Sequence, residues 1–194
     1  AAERVFEFLE EEELEVETVK IETDEVEKLP GSVTFNQVNF GYLPEKTIIH
    51  DFNMHVHAGQ TVAIVGPTGA GKTTIVKLLM RFYELNKGSI MIDGHDILEE
   101  PEAANKCIGY LPEMPPLYFD MTVLEYMKFA ADLKKIPKKQ KDKQIKEVMD
   151  MVKITDMKDR LIKNLSKGYR QRVGLAQAIL GYPEVIILDE PTVG

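Results

Sequence analysis

The chain has 194 residues, of which 44% are hydrophobic and 29% are charged, and this composition allows one substantial core in an ordinary globular protein. An apolar run of about 18 residues and a charged-then-apolar leader are both missing, so we expect no membrane-spanning segment or secretion signal and a cytosolic location for these residues. The single cysteine, Cys107, excludes an internal disulfide and a multi-cysteine metal site, and we expect it to be a small buried hydrophobic residue.

The acidic charge is concentrated at the start of the sequence. Residues 1–28 contain 12 acidic and 3 basic residues, whereas the net charge of the whole chain is −8. Val5, Phe8 and Leu9 have helical spacing, and the glutamate run that follows them should repel itself and stay solvated. We therefore interpret residues 1–30 as a helix end followed by an acidic linker. The near-neutral remainder gives no field that would attract nucleic acid.

The first part of the compact domain, from residue 31 to residue 95, has the patterns of several strands and one helix. A period-two pattern from Val33 to Phe40 is typical of a half-buried strand. The β-branched run Thr61–Val65 predicts a short, buried central strand. The other elements expected in this part are a strand over 48–56, a helix over 73–82 and a strand over 88–94.

The second part of the domain is mainly helical in pattern. Thr122 and Glu125 form a capping box that predicts a helix start. We interpret the basic segment Lys134–Lys143 as a solvated turn between two helices rather than a nucleic-acid patch, because no aromatic residues interleave it. Further helices are expected over 145–152 and 173–180, and a second buried strand over 185–188. Strands that alternate with helices predict a largely parallel α/β core.

A glycine-rich loop follows the predicted strand at residues 61–65. The residues from Gly66 to Thr73 fit the pattern Gly-x-x-x-x-Gly-Lys-Ser/Thr, whose backbone N–H groups surround the phosphates of a nucleotide ahead of a helix. Lys72 neutralises phosphate charge, the Thr73 hydroxyl can coordinate Mg²⁺, and Thr74 is expected to contact the α-phosphate. The expected nucleotide contacts of this loop are Gly66, Pro67, Thr68, Gly69, Ala70, Gly71, Lys72, Thr73 and Thr74.

Two carboxylates follow the second predicted buried strand. Asp189 and Glu190 come directly after residues 185–188, at the strand end where an open α/β sheet places its ligand chemistry. Asp189 should hold Mg²⁺, directly or through water, and Glu190 should polarise the attacking water, with Lys72 as the second catalytic residue. The loop and the carboxylates predict a P-loop nucleotide-binding protein, but they do not choose among kinases, GTPases and transport ATPases.

One further motif makes that choice. The segment Leu165-Ser166-Lys167-Gly168-Tyr169-Arg170-Gln171-Arg172 resembles the signature of ATP-binding cassette (ABC) ATPases, usually Leu-Ser-Gly-Gly-Gln followed by a basic residue, Gln and Arg. The resemblance implies that the motif contacts the γ-phosphate bound by the other subunit, so that two ATP molecules are sandwiched in a head-to-tail dimer. Ser166 and Gly168 match the family pattern, whereas Lys167 replaces a glycine and Tyr169 a glutamine.

The same resemblance assigns two further positions. Tyr42 matches the aromatic residue that stacks on adenine, and its plainer interpretation is a surface tyrosine at a strand end. Glu113 stands where the family has the glutamine that reaches Mg²⁺, and a carboxylate can still bind Mg²⁺ or its water. Separately from the resemblance, His55 and His57 share a predicted strand face, which fits a metal pair or, as we favour, ordinary surface positions.

The resemblance to ABC ATPases covers residues 31–194 and implies a P-loop NTPase core with a mostly parallel sheet, an N-terminal antiparallel β subdomain and a helical subdomain over 112–175. It implies ATP and Mg²⁺ as cofactors, a second identical or different ABC domain and a transmembrane domain as partners, and the cytoplasmic face of the cell membrane as location. The expected function is ATP binding and hydrolysis that drives solute transport. The alternatives are a soluble ABC ATPase acting on ribosomes or DNA, and a silent nucleotide-binding fragment.

The two halves of the chain resemble different branches of the family. Residues 1–95 are similar to fused exporters of the multidrug and lipid type, in which the acidic linker follows a transmembrane helix. Residues 96–194 are similar to stand-alone ATPase subunits, and we hypothesise a junction within residues 93–105. The motif order also predicts that the chain stops before the family's D-loop and switch histidine.

Overall fold

The computed structural model describes residues 30–43, 45–67 and 69–189. The predicted acidic linker up to residue 29, the loop residue Thr68 and the catalytic candidate Glu190 lie outside the described residues. No helix of the described part has both the length and the apolar character that crossing a membrane requires.

An antiparallel sheet forms the first part of the domain. Its four strands lie in the order β2-β1-β3-β4. In β1 the side chains of Val33, Phe35, Val38 and Phe40 are buried, so the predicted alternation is confirmed, with a shift of one position where the register changes after Phe35. The strands are β1 (Val33–Phe40), β2 (Ile49–Val56), β3 (Lys87–Ile92) and β4 (His95–Asp96).

A parallel strand pair and two helices adjoin this sheet. Helix α1 (Lys72–Leu79) follows the glycine-rich loop, and helix α2 (Pro101–Lys106) leads into β5 (Ile108–Leu111). Strand β6 (Val185–Leu188) pairs with β5 in parallel, and Leu111 lies opposite Leu188. The α/β class is therefore confirmed. The buried residues of α1, β1, β3 and β5 form one hydrophobic cluster, in which Cys107 is only 7% exposed, as its sequence context predicts.

A second hydrophobic cluster lies among three helices. These are α3 (Val123–Leu133), α4 (Lys138–Met151) and α5 (Lys167–Ile179), with short 3₁₀ turns at Thr155–Met157 and Ile162–Asn164. The capping box at the start of α3 is confirmed: the Thr122 hydroxyl accepts from the Glu125 N–H, and the Glu125 carboxylate accepts from the Thr122 N–H at 2.8 Å. Both bonds are local, which is why the sequence alone reveals them.

The predicted buried strand at residues 61–65 is wrong. These residues form no strand, and Val62 and Val65 are 50% and 85% exposed. A strand forms only where a neighbouring strand accepts its backbone hydrogen bonds, and in the described part of the chain β5 and β6 pair with each other instead. The β-branched residues favour a strand at 61–65, but among the described residues no neighbouring strand pairs with this run.

The basic segment Lys134–Lys143 is only partly the solvated turn that its composition predicts. Residues from Lys138 onward belong to α4, so the turn is confined to the few residues before it. The Lys134 ammonium is bound: it donates to the carbonyl oxygens of Ala178 at 3.1 Å and Leu180 at 2.6 Å. Lys134 therefore caps the C-terminal end of α5, where unpaired carbonyls favour a cation.

Helix α5 also packs closely on β5, because the residue of β5 at the contact is a glycine. A Cβ at Gly109 in β5 would collide with the carbonyl oxygen of Ala178 in α5. Because Gly109 is buried between the strand and the helix, only glycine fits there without moving one of them. The helical cluster is thereby joined to the sheet.

Candidate functional site

The glycine-rich loop leads into α1, and its backbone conformation suits the binding of an anion. Gly69 and Gly71 have φ values of +86° and +88°, a left-handed conformation that residues with a Cβ adopt only under strain. The Ala70 N–H donates to the carbonyl of Pro67 at 3.1 Å and tightens the loop. Gly71 is the N-cap of α1 and offers no side chain to its first N–H groups, which leaves them open to a phosphate.

The Lys72 side chain folds back over this loop. Its ammonium donates to the carbonyl oxygens of Gly66 at 2.5 Å and Pro67 at 3.0 Å. The charge is therefore held at the mouth of the loop by weak neutral acceptors, which a phosphate oxygen can replace. Thr73, the next residue, is exposed, while Thr74 is 6% exposed and turned into the protein.

Tyr42 lies beside the start of α1. Its hydroxyl is 3.1 Å from the hydroxyl of Thr74, so strand end and helix are joined directly. The Tyr42 ring packs edge-to-face on Phe40 and on Tyr83, each with ring centroids 5.0 Å apart. The Lys77 ammonium lies 6.0 Å from the centroids of both the Tyr42 and Tyr83 rings. Tyr42 thus sits in an aromatic cluster, yet 43% of it remains exposed.

The predicted metal carboxylates lie at one end of the parallel strand pair. Asp189 follows β6 directly, and its N–H continues the ladder by donating to the carbonyl of Leu111 at 2.9 Å. The Tyr110 hydroxyl donates to the Asp189 carboxylate at 3.4 Å. Burial, and then the negative charge of Asp189, raise the pKa of Tyr110 above its usual value, so this tyrosine remains a neutral donor. Glu113, two residues beyond β5, is exposed at the same end.

The signature-like motif begins a helix. Ser166 is the N-cap of α5, and its hydroxyl accepts from the Tyr169 N–H at 3.4 Å. Lys167 and Gly168 are exposed in the first turn, where N–H groups have no partner within the helix. The Arg172 guanidinium lies 5.5 Å from the centroid of the Tyr169 ring and holds it against the helix.

Helix α5 connects the motif to the strand end that carries the carboxylates. The Gln171 side chain donates to the backbone carbonyl of Glu113 at 3.0 Å. Beyond it, Ala178 touches Gly109 in β5. The structure thus brings Tyr42 together with Thr74, and Glu113 together with α5. In the described ranges no direct hydrogen bond joins the glycine-rich loop to Asp189, Glu113 or Ser166.

The donor atoms at these positions fit magnesium. Thr73, Asp189 and Glu113 offer hydroxyl and carboxylate oxygens, the ligands that Mg²⁺ prefers. Within the part of the chain that the structure describes, no group of three or more His, Cys, Asp or Glu side chains converges on one point. Mg²⁺ commonly binds through one or two carboxylates and completes its shell with water and phosphate oxygens.

The two histidines singled out in the sequence lie side by side. The rings of His55 and His57 are 4.4 Å apart at an angle of 75°, and the His55 ring nitrogen is 2.7 Å from the Thr34 hydroxyl. His55 lies in β2, whereas His57 is the first residue after that strand, so the predicted shared strand face is only partly formed.

Sequence reasoning missed three side chains at the site. Tyr83 and Lys77 contact Tyr42, and Tyr110 contacts Asp189. A signal was available for Tyr83, because Phe82-Tyr83 is an adjacent aromatic pair that two residues separate from the end of α1. No comparable signal existed for Tyr110, whose partner is 79 residues away in sequence.

Comparison with known proteins agrees with this geometry. The family model described as ABC transporter matches residues 49–193. The spermidine/putrescine import ATP-binding protein PotA of Haemophilus influenzae (strain ATCC 51907) is 38% identical over 144 residues, which cover 74% of this chain and 38% of PotA. A fatty acid ABC transporter ATP-binding/permease protein of Mycobacterium tuberculosis is 38% identical over 208 aligned positions, covering 99% of this chain and 31% of that protein. The chain belongs to the ABC transporter family.

A solved structure extends the agreement to three dimensions. The structure of a bacterial Atm1-family ABC exporter with ATP bound has a TM-score of 0.72 and 33% sequence identity, and the match covers 84% of this chain and 29% of that chain. This agreement confirms the P-loop NTPase architecture for the described fold. The chain spans well under half the length of the curated relatives it matches.

Proposed function

We propose that this chain is an ATP-binding domain that hydrolyses ATP to drive the transport of a solute across a membrane. The observation that carries the proposal is the glycine-rich loop, with Lys72 at its mouth and the uncapped start of α1 behind it. A helix start with free N–H groups and an adjacent ammonium is complementary to the triphosphate of a nucleotide. In this proposal residues 31–194 are the ATP-binding domain, residues 112–175 its helical subdomain, and residues 1–30 a linker from a transmembrane helix.

The roles of individual residues follow from their positions. Backbone N–H groups for the phosphates come from the loop residues Gly66, Thr68, Gly69, Ala70 and Gly71, and Pro67, which has no N–H, contacts the nucleotide only through its ring or carbonyl. Thr74 contacts the α-phosphate, and Tyr42 stacks on the adenine. Thr73 and Asp189, with Glu113 nearby, hold Mg²⁺, which supplies positive charge to the β- and γ-phosphate oxygens when it is bound. Glu190 orients the attacking water. The proximity of Asp189 to the end of β6 supports this arrangement, because ligands of open α/β sheets bind at the carboxyl ends of strands.

The exposed start of α5 supports a two-domain ATPase. Ser166, Lys167, Gly168 and Tyr169 present a helix N-terminus to solvent rather than to the loop of the same chain. In the proposed assembly, this surface meets the γ-phosphate held by a second ABC domain. A transmembrane domain is the other partner, and the assembly lies at the cytoplasmic face of the cell membrane.

Loss of the Lys72 charge tests nucleotide binding. We expect Lys72→Ala to weaken the binding of Mg²⁺-ATP at least tenfold, since a charge-assisted hydrogen bond to phosphate is worth about 1.5–3 kcal/mol. Isothermal titration calorimetry measures the change. Lys87→Ala, which removes an exposed lysine at the start of β3, is the matched control and should bind as the unmodified chain does. Equal affinity in the two variants would refute the proposed binding site.

Removal of the Glu190 charge tests turnover separately. We expect Glu190→Gln to retain ATP binding and to lower the rate of phosphate release by at least tenfold, because an amide cannot polarise water as a carboxylate does. The rate is measured at saturating ATP, so that affinity does not enter. Tight binding with a rate that Glu190→Gln does not change would favour the silent nucleotide-binding fragment.

A further inference from the structure

We propose that Tyr83 is a positioning residue for recognition of the nucleotide base: it holds the Tyr42 ring in the orientation that receives adenine. The inference rests on the proposed function, in which Tyr42 stacks on the base. It adds a second residue, on a different element, through which the affinity for the base can be changed while the phosphate contacts stay intact.

The ring geometry is the first support. The Tyr42 ring stands nearly perpendicular to Phe40, at 84°, and to Tyr83, at 82°, with centroids 5.0 Å apart in both pairs. Phe40 and Tyr83 also contact each other, with centroids 5.7 Å apart. Three rings in mutual contact resist rotation of any one of them, because edge-to-face geometry is lost when one ring turns. Phe40 is buried, so the other two rings pack on a fixed base.

The backbone around Tyr83 is fixed to the strand end that carries Tyr42. The Asn86 side chain accepts from the N–H of Gly41 at 2.7 Å, and the Asn86 N–H donates to the carbonyl of Asn39 at 3.1 Å. The Phe82 N–H closes the end of α1 by donating to the carbonyl of Lys77 at 2.8 Å. The segment 82–86 is thereby tied both to α1 and to the residue that precedes Tyr42.

A cation completes the cluster on the α1 side. The Lys77 ammonium lies 6.0 Å from the centroid of each tyrosine ring, at the limit for a cation–π contact. Lys77 belongs to the same helix as Lys72, whose ammonium lies at the phosphate loop. The aromatic rings and the phosphate loop are therefore both connected to α1. The surface that receives the base is thus held at a fixed position relative to the phosphate contacts.

The experiment separates base from phosphate recognition. Purified 194-residue chain is loaded with a ribose-labelled fluorescent ATP analogue and Mg²⁺, and the label is displaced with ATP or with inorganic tripolyphosphate, which lacks a base. We expect Tyr83→Ala to weaken displacement by ATP about two- to tenfold, the range that corresponds to the 0.5–1.5 kcal/mol of an aromatic pair. Displacement by tripolyphosphate should not change, and Tyr83→Phe should restore the affinity for ATP because it keeps the ring.

The matched control is Phe82→Ala. This substitution removes an aromatic ring of similar size from the adjacent position. The Phe82 residue is 59% exposed and lies outside the three-ring cluster, so displacement by ATP and by tripolyphosphate should stay as in the unmodified chain. In a Tyr42→Ala background, Tyr83→Ala should add no further loss, because a positioning residue acts only through the residue that it positions.

Three outcomes would overturn the inference alone, and a fourth would overturn the base contact on which it rests. Tyr83→Ala could leave ATP displacement unchanged while Tyr42→Ala weakens it, which removes Tyr83 and leaves the proposed function standing. Equal weakening toward ATP and tripolyphosphate would show that Tyr83 supports the fold and not base recognition. A full additional loss in the Tyr42→Ala background would show that Tyr83 acts independently. Failure of Tyr42→Ala itself to weaken ATP displacement would instead refute the base contact in the proposed function, and the inference with it.

Discussion

The Lys134 ammonium caps the C-terminal end of α5, a helix to which Lys134 does not belong. Although Lys134 as a whole is exposed, its ammonium donates to two carbonyls at the end of α5. Burial lowers the pKa of Lys134 from 10.5 to about 8, because the charged form loses solvation there. A basic residue in a lysine-rich segment thus has a structural role that its sequence context does not reveal.

The lowered pKa of Lys134 predicts a pH dependence of stability. Between pH 8 and 10.5 the unfolded chain holds this proton and the folded chain does not, so the free energy of unfolding should rise with pH across that window. Lys134→Met keeps an unbranched side chain and removes the titration. Urea unfolding in reducing buffer at several pH values should show that the unmodified chain gains stability over the variant as pH rises. Parallel profiles would mean that the ammonium is fully solvated in the folded chain.

The sequence predicts an element better when the residues that stabilise it are near in sequence than when they are distant. The alternation of β1 and the capping box of α3 depend on neighbours within a few residues, and both are confirmed. The run at 61–65 depends on a strand elsewhere, and it is exposed coil. The motifs of the candidate site were visible because their spacing is local, whereas the Tyr42–Tyr83 and Tyr110–Asp189 contacts join distant residues and could not be predicted.

The contact between α5 and β5 gives a prediction for the elements themselves. Gly109→Ala should lower the free energy of unfolding by about 1–3 kcal/mol, because a Cβ there meets the Ala178 carbonyl and overpacks the contact. Gly168→Ala is the matched control in the first turn of α5. A Cβ at Gly168 meets no atom within 4 Å, so this change should be neutral or stabilise by up to about 1 kcal/mol. Urea unfolding measures both, and equal effects would contradict the close packing.

On the scale of the whole molecule, one hydrophobic cluster connects the nucleotide loop to the parallel strands. The buried face of α1 and Cys107 belong to the same cluster. Cys107 is the only cysteine in the sequence and is nearly inaccessible, and its Sγ lies 3.4 Å from the Ala103 carbonyl. Burial, with the charges of Glu184 and Asp93, raises the pKa of Cys107 to about 11. Its reactivity therefore reports on opening of this cluster.

Thiol labelling of Cys107 should become slower when nucleotide binds. At a hundredfold excess of Mg²⁺-ATP over its dissociation constant, binding stabilises the folded state by about 2.7 kcal/mol, so labelling through unfolding should slow about a hundredfold. Reaction with a chromogenic disulfide at pH 8 gives the rate. At the same ATP concentration Lys72→Ala should reduce this protection about tenfold or more, while labelling without ATP stays slow. Labelling as fast as that of a free thiol would show that Cys107 is accessible in the folded state.

The packing of α5 makes it a rigid connection between two parts of the domain. The helix is about 20 Å long, from its 13 residues and a rise of 1.5 Å each. Ser166 lies at one end, and the Gly109 contact and the Lys134 cap hold the other end. The middle of the helix is fixed as well, because Gly174 packs on Pro115 and Leu111 and the Gln171 side chain donates to the Glu113 carbonyl. One packed helix thus spans the distance between the exposed Ser166 end and the segment beside Asp189.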